Sequence, residues 1–384
     1  MRKTFLMSVF VLLSVLLAIG TAGADVFYTT GSGTLGTIVI ESAESIDLQP
    51  TVVKNLGTNL DVSTFGVDGG TRVMVTRRSV DSNDKASIYT PGIWTDSTDC
   101  ILTETRNIHG TANAENGRTF YTASRETASI VEYDNTSSYK ATGRQYTYKP
   151  TNGTAHAEDV LTGSNTVYGL FSVQSDDKYL PSRVVWMDGQ ISDKVQGFGG
   201  TDASPNASEM TFLSDGRVAI GYCGNDGKGG IDLLSGKTIT SLISGDVSGD
   251  QYGEIPTLCS DGDKGLYFVG QKTSDDVYMD TLYRRKSDGT FSTVKDSITG
   301  SFVKVAWDNS HKLLVLATEN KIAIFKEDTP LKEFSSLGGT VSSMALTAPA
   351  GKTDSGSSSN CGILASGSLA LLLLPLALLR RRGQ

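Results

Sequence analysis

The chain has 384 residues, of which 38% are hydrophobic and 20% charged. This is a globular composition, and the length allows two or three domains or one large all-β domain. The 42 acidic residues outnumber the 34 basic ones, which gives a formal net charge of −8. This acidic balance argues against nucleic-acid binding, because phosphate contacts need clustered Lys and Arg side chains. Only 3 histidines are present, which leaves little room for chemistry based on imidazole.

Residues 1–24 are typical of a secretory signal peptide. A basic start precedes an apolar run from Phe5 to Ile19, and a small-residue cleavage motif ends at Ala24. We therefore predict a signal helix, export through the Sec pathway and a mature chain that begins at Asp25. The alternative is an uncleaved anchor helix.

The C-terminus has its own ordered pattern. A Ser/Gly-rich linker over residues 348–360 precedes Cys361, and an uncharged stretch of 18 residues from Gly362 to Leu379 follows. At a rise of about 1.5 Å per residue this stretch just spans a thin bilayer core. The chain then carries three consecutive arginines, which the positive-inside rule places in the cytoplasm: Arg380, Arg381 and Arg382.

This order of linker, single cysteine, short apolar helix and basic tail resembles bacterial C-terminal sorting signals of the Synerg-CTERM type, with the MYXO-CTERM type as the neighbour. The resemblance covers only the last part of the chain, about residues 353–384. It implies sorting in the inner membrane of a Gram-negative bacterium, cleavage near Cys361 and replacement of residues 361–384 by an anchor at the envelope or cell surface. The alternative is a plain tail anchor. In both cases the body lies outside the cytoplasm and, over residues 25–360, carries 29 basic against 42 acidic residues, a net charge of −13.

The body repeats one pattern of a turn followed by an alternating strand. The turn markers advance by 47, 47, 52, 47 and 47 residues, and they are Gly70, Gly117, Ser164, Gly216, Asp263 and Ser310. Alternating apolar and polar residues between Gly, Asn and Asp turns predict antiparallel strands. A unit of this length with three or four strands is the size of a β-propeller blade.

The exported body of 336 residues holds about seven such units. We therefore predict an all-β fold, a single β-propeller over residues 25–347, with seven blades favoured over six or eight. The strand after Asp25 aligns with the second strand of a blade, and the segment from Thr340 to Thr347 supplies the missing innermost strand, which closes the ring. A tandem of β-sandwiches is the competing architecture. Units such as FYTASRETASIVEYD resemble the YVTN and quinoprotein-like propeller repeats, which implies the fold only.

The candidate chemistry centres on two histidines. His109 and His156 both lie eight residues before their turn markers, so we expect them at one level of the central channel. Glu158, Glu209 and Glu254 lie on or next to innermost strands. Two imidazoles with carboxylates could hold Zn, Mn or Fe, or act as acid and base, although two polar side chains in a wet channel mouth are the simpler interpretation.

Two further features are less specific. The segment from Asp246 to Glu254 places oxygen ligands at alternate positions, as a Ca²⁺ loop does, but it lacks the glycine at the sixth position and the acid at the twelfth. Cys223 and Cys259 fall in successive blades, and an oxidising envelope permits a disulfide between them. Cys100 would then remain unpaired.

No sialidase Asp-box, repeated tryptophan motif, G-x-S-x-G, H-E-x-x-H or P-loop occurs in the chain. We therefore predict a non-enzymatic module that binds or displays an extracellular protein, glycan or other ligand and requires no cofactor. Its other expected partners are the export and sorting machinery. The alternatives are a metal-assisted hydrolase or lyase with its site in the channel, and a structural component of the cell surface.

Overall fold

The computed structural model describes residues 24–347 except 48, 68–69, 114–116, 136–137, 164–165, 176–177, 196–205, 224–228, 244–254 and 275–276. All regular elements within the described residues are β-strands, and they form seven four-stranded antiparallel sheets. The predicted all-β, seven-bladed propeller is therefore confirmed. Residues 1–23 of the predicted signal peptide and the whole of the predicted C-terminal sorting segment lie outside the described residues.

The first blade joins the two ends of the described chain. It contains β1 (Ala24–Thr30), β2 (Thr34–Ile40) and β3 (Thr51–Asn55), and its innermost strand is β28 (Val341–Leu346). β28 pairs with β1 in antiparallel register, with Tyr28 opposite Met344. The ring closure that the sequence predicts is thus confirmed, and it removes the open edge of the first sheet.

Each of the other blades is a meander of four consecutive strands, numbered from the innermost outward. Blade 2 contains β4 (Leu60–Val67), β5 (Gly70–Arg77), β6 (Asp84–Thr90) and β7 (Ile93–Leu102). Blade 3 contains β8 (Ile108–Asn113), β9 (Thr119–Ser124), β10 (Ser129–Asp134) and β11 (Ala141–Thr147). Blade 4 contains β12 (Thr154–Gly163), β13 (Thr166–Ser175), β14 (Lys178–Trp186) and β15 (Ile191–Lys194).

The remaining three blades complete the ring. Blade 5 contains β16 (Asn206–Phe212), β17 (Val218–Cys223), β18 (Gly229–Ser235) and β19 (Thr238–Ile243). Blade 6 contains β20 (Leu258–Ser260), β21 (Leu266–Ser274), β22 (Val277–Arg285) and β23 (Phe291–Ile298). Blade 7 contains β24 (Phe302–Asp308), β25 (Leu313–Thr318), β26 (Lys321–Lys326) and β27 (Thr329–Phe334). Each innermost strand contacts that of the next blade, so these strands surround a central channel.

The hydrophobic core is divided among the blade interfaces. Seven apolar clusters lie between adjacent sheets, one for each pair of blades. The interface of blades 2 and 3 is the most aromatic example, with the rings of Phe65 and Phe120 stacked at 4.3 Å between centroids. Burial of both faces of each sheet explains the nearly continuous apolar runs of second strands such as β25.

Within the described residues, no helix is long and apolar enough to cross a membrane.

Buried Asp84 joins blade 2 to blade 3. Its carboxylate accepts backbone hydrogen bonds from Ser79 at 2.9 Å, Asn107 at 3.1 Å and Ile108 at 3.1 Å. The last two donors lead into β8, so this side chain fixes where the innermost strand of blade 3 begins.

We expect Asp84→Ala to lower the free energy of unfolding by about 2–4 kcal/mol, because it leaves buried N–H groups without an acceptor. Denaturant titration measures the change, with Asp81→Ala, at an exposed position of the preceding loop, as the matched control. Equal stability of the two variants would contradict this role for Asp84.

Candidate functional site

The innermost strands share an irregularity that sets the geometry of the channel. In five of them one residue is inserted into the pairing with the second strand, as in a β-bulge. Bulges re-aim side chains and are common next to functional sites. The inserted residues are His109, Glu158, Ser208, Val303 and Ser342.

The bulges of blades 3 and 4 bring His109 and Glu158 together. Nδ1 of His109 lies 3.1 Å from Oε2 of Glu158, whose side chain is only 9% exposed. The other oxygen of Glu158 accepts a 2.6 Å hydrogen bond from Ser172 and lies 3.5 Å from Nε of Arg125. Burial alone would raise the pKa of Glu158, but the bonds from His109 and Ser172 and the charge of Arg125 lower it below its usual value.

His156 does not occupy the position equivalent to His109. The bulge residue of β12 is Glu158, two residues further along the chain, so the equivalence expected from the turn markers is shifted by two residues. The reason is that nine residues separate the bulge of β8 from β9, whereas only seven separate the bulge of β12 from β13. Nδ1 of His156 is buried and has no hydrogen-bond partner in the part of the chain that the structure describes.

Glu209 belongs to a second group, together with Asp159 and Lys304. Oε1 of Glu209 lies 3.1 Å from Nζ of Lys304, and its Oε2 accepts a 3.1 Å bond from the backbone N–H of Leu258 in the next blade. The Glu209 carboxylate raises the pKa of Lys304 to about 12, against the opposing effect of burial.

Asp159 follows the bulge of β12, as Glu209 follows that of β16. Its Oδ2 accepts a 2.8 Å bond from the backbone N–H of Met210. Burial raises the pKa of Asp159 to about 7, and the Glu209 carboxylate adds to this effect while Lys304 opposes it. Two consecutive acids, Glu158 and Asp159, therefore have pKa values shifted in opposite directions.

A cavity of about 330 Å³ lies in the channel and connects these groups. His109, Asp159 and Lys304 line it, and so do Asp61 and Arg78, which form an ion pair. Its wall also holds hydroxyl side chains from four strands, namely Ser63, Thr64, Thr76, Thr111, Ser342 and Ser343.

Two of these hydroxyls have no hydrogen-bond partner among the described residues. Oγ of Ser63 and Oγ1 of Thr76 are buried and unpaired, and Thr76 as a whole is only 1% exposed. A buried hydroxyl without a partner carries a desolvation cost of about 1–3 kcal/mol, which a bound ligand or water can offset. Both residues line the cavity.

A larger cleft of about 880 Å³ lies between blades 2 and 3. Its wall includes the apolar side chains of Val67, Ile88 and Tyr139 and the guanidinium of Arg72. It contains none of the histidines or glutamates that the sequence singles out. We place the candidate site in the smaller channel cavity, because the carboxyl of Asp159 and the imidazole of His109, which is paired with Glu158, line it.

The metal hypothesis named His109, His156, Glu158 and Glu209. Only His109 and Glu158 are brought into contact, and among the described residues no three His, Cys, Asp or Glu side chains converge as metal ligands. Metal binding therefore stays a prediction. Glu254 and the Ca²⁺-like segment that precedes it lie outside the described residues.

The candidate disulfide between Cys223 and Cys259 is not formed in the structure, where all three described cysteines are thiols. Cys223 ends the second strand of blade 5 and pairs with Asn206, at the start of the innermost strand. Cys259 lies within the innermost strand of blade 6 and is buried. Burial raises the pKa of its thiol, with the Glu209 carboxylate adding to the effect.

Asp159 makes the stability of the fold depend on pH. Its pKa is about 7 in the folded protein against an ordinary value of 3.8. The stability that its bound proton contributes is complete below the ordinary value and is lost as the pH rises through about 7. We expect Asp159→Asn to flatten the decline of the unfolding free energy over this range, as measured by denaturant titrations at a series of pH values. Exposed Asp81→Asn is the control, and an unaltered pH profile in Asp159→Asn would count against this assignment.

Comparison with known proteins supports the fold alone. No protein-family model matches the chain, and no curated protein matches it. Among solved structures, a putative 6-phosphogluconolactonase from Bacteroides fragilis is similar with a TM-score of 0.55 and 14% identity, over 85% of this chain and 98% of that one. A second protein described in the same words, from Bacteroides uniformis, has a TM-score of 0.53 and 15% identity, over 85% of this chain and 100% of that one. A functionally unknown protein from Desulfotomaculum acetoxidans has a TM-score of 0.55 and 13% identity, also over 85% of this chain and 100% of that one. At these identities the chain shares with them the architecture of the propeller.

Proposed function

We propose that this protein is an exported, envelope-anchored β-propeller that binds an extracellular glycan in the channel cavity. The observation that carries the proposal is the pair of unpartnered hydroxyls, Ser63 and Thr76, in the wall of an otherwise well-paired polar cavity. Ligand sites commonly combine a preformed cavity with a few polar groups that fix orientation.

The charges around the cavity favour an uncharged ligand. Asp61 is paired with Arg78, Glu158 with His109, and Glu209 with Lys304. A charged ligand would have to compete with one of these partly exposed pairs for its partner. A neutral polyhydroxylated ligand can bind to the free hydroxyls and the outer lone pairs of the carboxylates without breaking any pair.

The size of the cavity limits what enters it. About 330 Å³ is near the lower end of the range of small-ligand sites, which is roughly 300–1,000 Å³. The end of a glycan chain fits this volume, whereas a folded protein domain would contact the surrounding loops instead. The name of a structurally similar protein does not identify the ligand of this one, because the same fold hosts many functions.

The hydroxyl of Thr76 tests this proposal directly. We expect Thr76→Val, which keeps the shape of the side chain, to weaken binding of a neutral oligosaccharide about tenfold, the effect of roughly one hydrogen bond. A panel of neutral and acidic oligosaccharides identifies the ligand, and isothermal titration calorimetry of the full chain then measures affinity.

Thr37→Val is the matched control, because Oγ1 of Thr37 is also buried and unpaired but lies on β2, outside the cavity wall. Retained binding in Thr37→Val with loss in Thr76→Val is the expected result. Binding of acidic oligosaccharides only, or equal effects of both changes, would contradict the proposal.

The anchoring part of the proposal rests on the C-terminal pattern alone and has a separate test. Mass spectrometry of the protein from its native envelope should give a chain that begins at Asp25 and ends near Cys361 with a lipid-sized addition. An intact basic tail in the mature protein would overturn the sorting proposal and leave a tail anchor.

A further inference from the structure

We infer that the channel cavity also hydrolyses an acyl ester on the bound glycan, with His109 as the general base. This inference rests on the proposed function for its ligand and adds an activity to it. Three observations carry it: the imidazole–carboxylate pair, a second carboxyl group in the same cavity, and the bulges that aim both.

The His109–Glu158 pair has the arrangement of a base and the group that orients it. Glu158 holds Nδ1 of His109 at 3.1 Å and is itself fixed by Ser172 and Arg125. With Nδ1 donating its proton to the carboxylate, Nε2 is the basic nitrogen, and His109 lines the cavity. Glu158 is a positioning residue in this scheme, because it acts through the imidazole.

Asp159 is the candidate proton donor. It lines the same cavity as His109 and lies against Gly110, where a Cβ atom would come within 2.6 Å of Asp159 Oδ1. The absence of a side chain at position 110 therefore lets the two strands approach closely. A protonated Asp159 can donate its proton to a leaving group bound in the cavity that it lines.

The proposed reaction balances without an added co-reactant. A water molecule loses a proton to Nε2 of His109 while its oxygen attacks the ester carbonyl carbon and forms a tetrahedral intermediate. The C–O bond to the sugar then breaks, and the departing alkoxide takes a proton from Asp159. The products are a carboxylic acid and the free sugar hydroxyl, and the proton on His109 returns to Asp159 through solvent.

An ester suits these groups better than a glycosidic bond. Glycoside hydrolysis in most families relies on two carboxyl groups that flank the bond. Here the ordered base is an imidazole, and Glu158 is engaged by three neighbours. Activation of water for attack on an acyl carbon is the chemistry that a carboxylate-oriented histidine performs in proteins.

The test measures release of acetate from acetylated cellobiose, and of 4-nitrophenol from 4-nitrophenyl acetate, by the full chain. We expect wild-type activity that His109→Gln reduces at least about 100-fold, within the range typical of a general base. His156→Gln is the matched control and should keep the wild-type rate, because His156 lies on the neighbouring innermost strand but not in the cavity wall. Glu158→Gln should lower kcat, expressed per folded molecule, about tenfold or more while KM stays unchanged, as expected for a residue that acts through the base and not on substrate binding. Thermal melting of each variant verifies that it is folded.

The possible results distinguish this inference from the binding proposal. Oligosaccharide binding that depends on Thr76, without any hydrolysis, overturns the inference and leaves the binding proposal in place. Equal rates in wild type and His109→Gln overturn it as well. Activity that a chelator abolishes and a transition metal restores would replace it with the metal-assisted alternative. Absence of both binding and hydrolysis overturns both proposals.

Discussion

The ring depends on hydrogen bonds that cross from one innermost strand to the next. Each of these strands has a second strand on one side only, so its other edge presents backbone N–H groups to the channel. Side chains of the preceding blade accept several of these bonds: Asp159 accepts from Met210, Glu209 from Leu258, Thr257 from Val305, and Ser343 from Val62. The polar residues of the channel are thus structural acceptors first. Ligand binding or catalysis in the channel therefore has to use side-chain atoms that do not take part in these hydrogen bonds.

The junction of blades 3 and 4 departs from this rule, and the departure creates the candidate site. The residue after the bulge of β8 is Gly110, which has no side chain to offer as an acceptor. Instead the strands approach so closely that a Cβ at this position would lie 3.1 Å from Cα of Asp159 and from the backbone nitrogen of Val160. Since this closeness places the two bulge residues side by side, His109 reaches Glu158 across the junction. The absence of a side chain at Gly110 therefore explains why His109, the residue before it, contacts Glu158.

The sequence predicts the architecture well and the site only in part, for one physical reason. Blade number and closure follow from strand alternation and from turns at a constant spacing, which are local signals. The partners in the channel depend on β-bulges, and a bulge changes the register without a signature in residue type. A shift of one residue moves a side chain to the other face of a strand. The sequence therefore indicates both His109 and Glu158 as channel residues, but the turn markers pair His109 with His156. They also gave no signal for Lys304, Asp159 or Arg125, whose roles arise only from contacts between blades.

Lys304 shows how the same contacts divide the channel. It lines the 330 Å³ cavity and also a groove of about 420 Å³ formed by the innermost strands of blades 5, 6 and 7. Its ion pair with Glu209 lies where the two spaces adjoin, and Glu209 is in turn held by the backbone of Leu258. Because Glu209 is fixed by a bond that the ring itself needs, movement of the pair would cost a structural hydrogen bond as well as an ion pair. The cavity around His109 is therefore bounded on this side by the same interactions that hold the blades together.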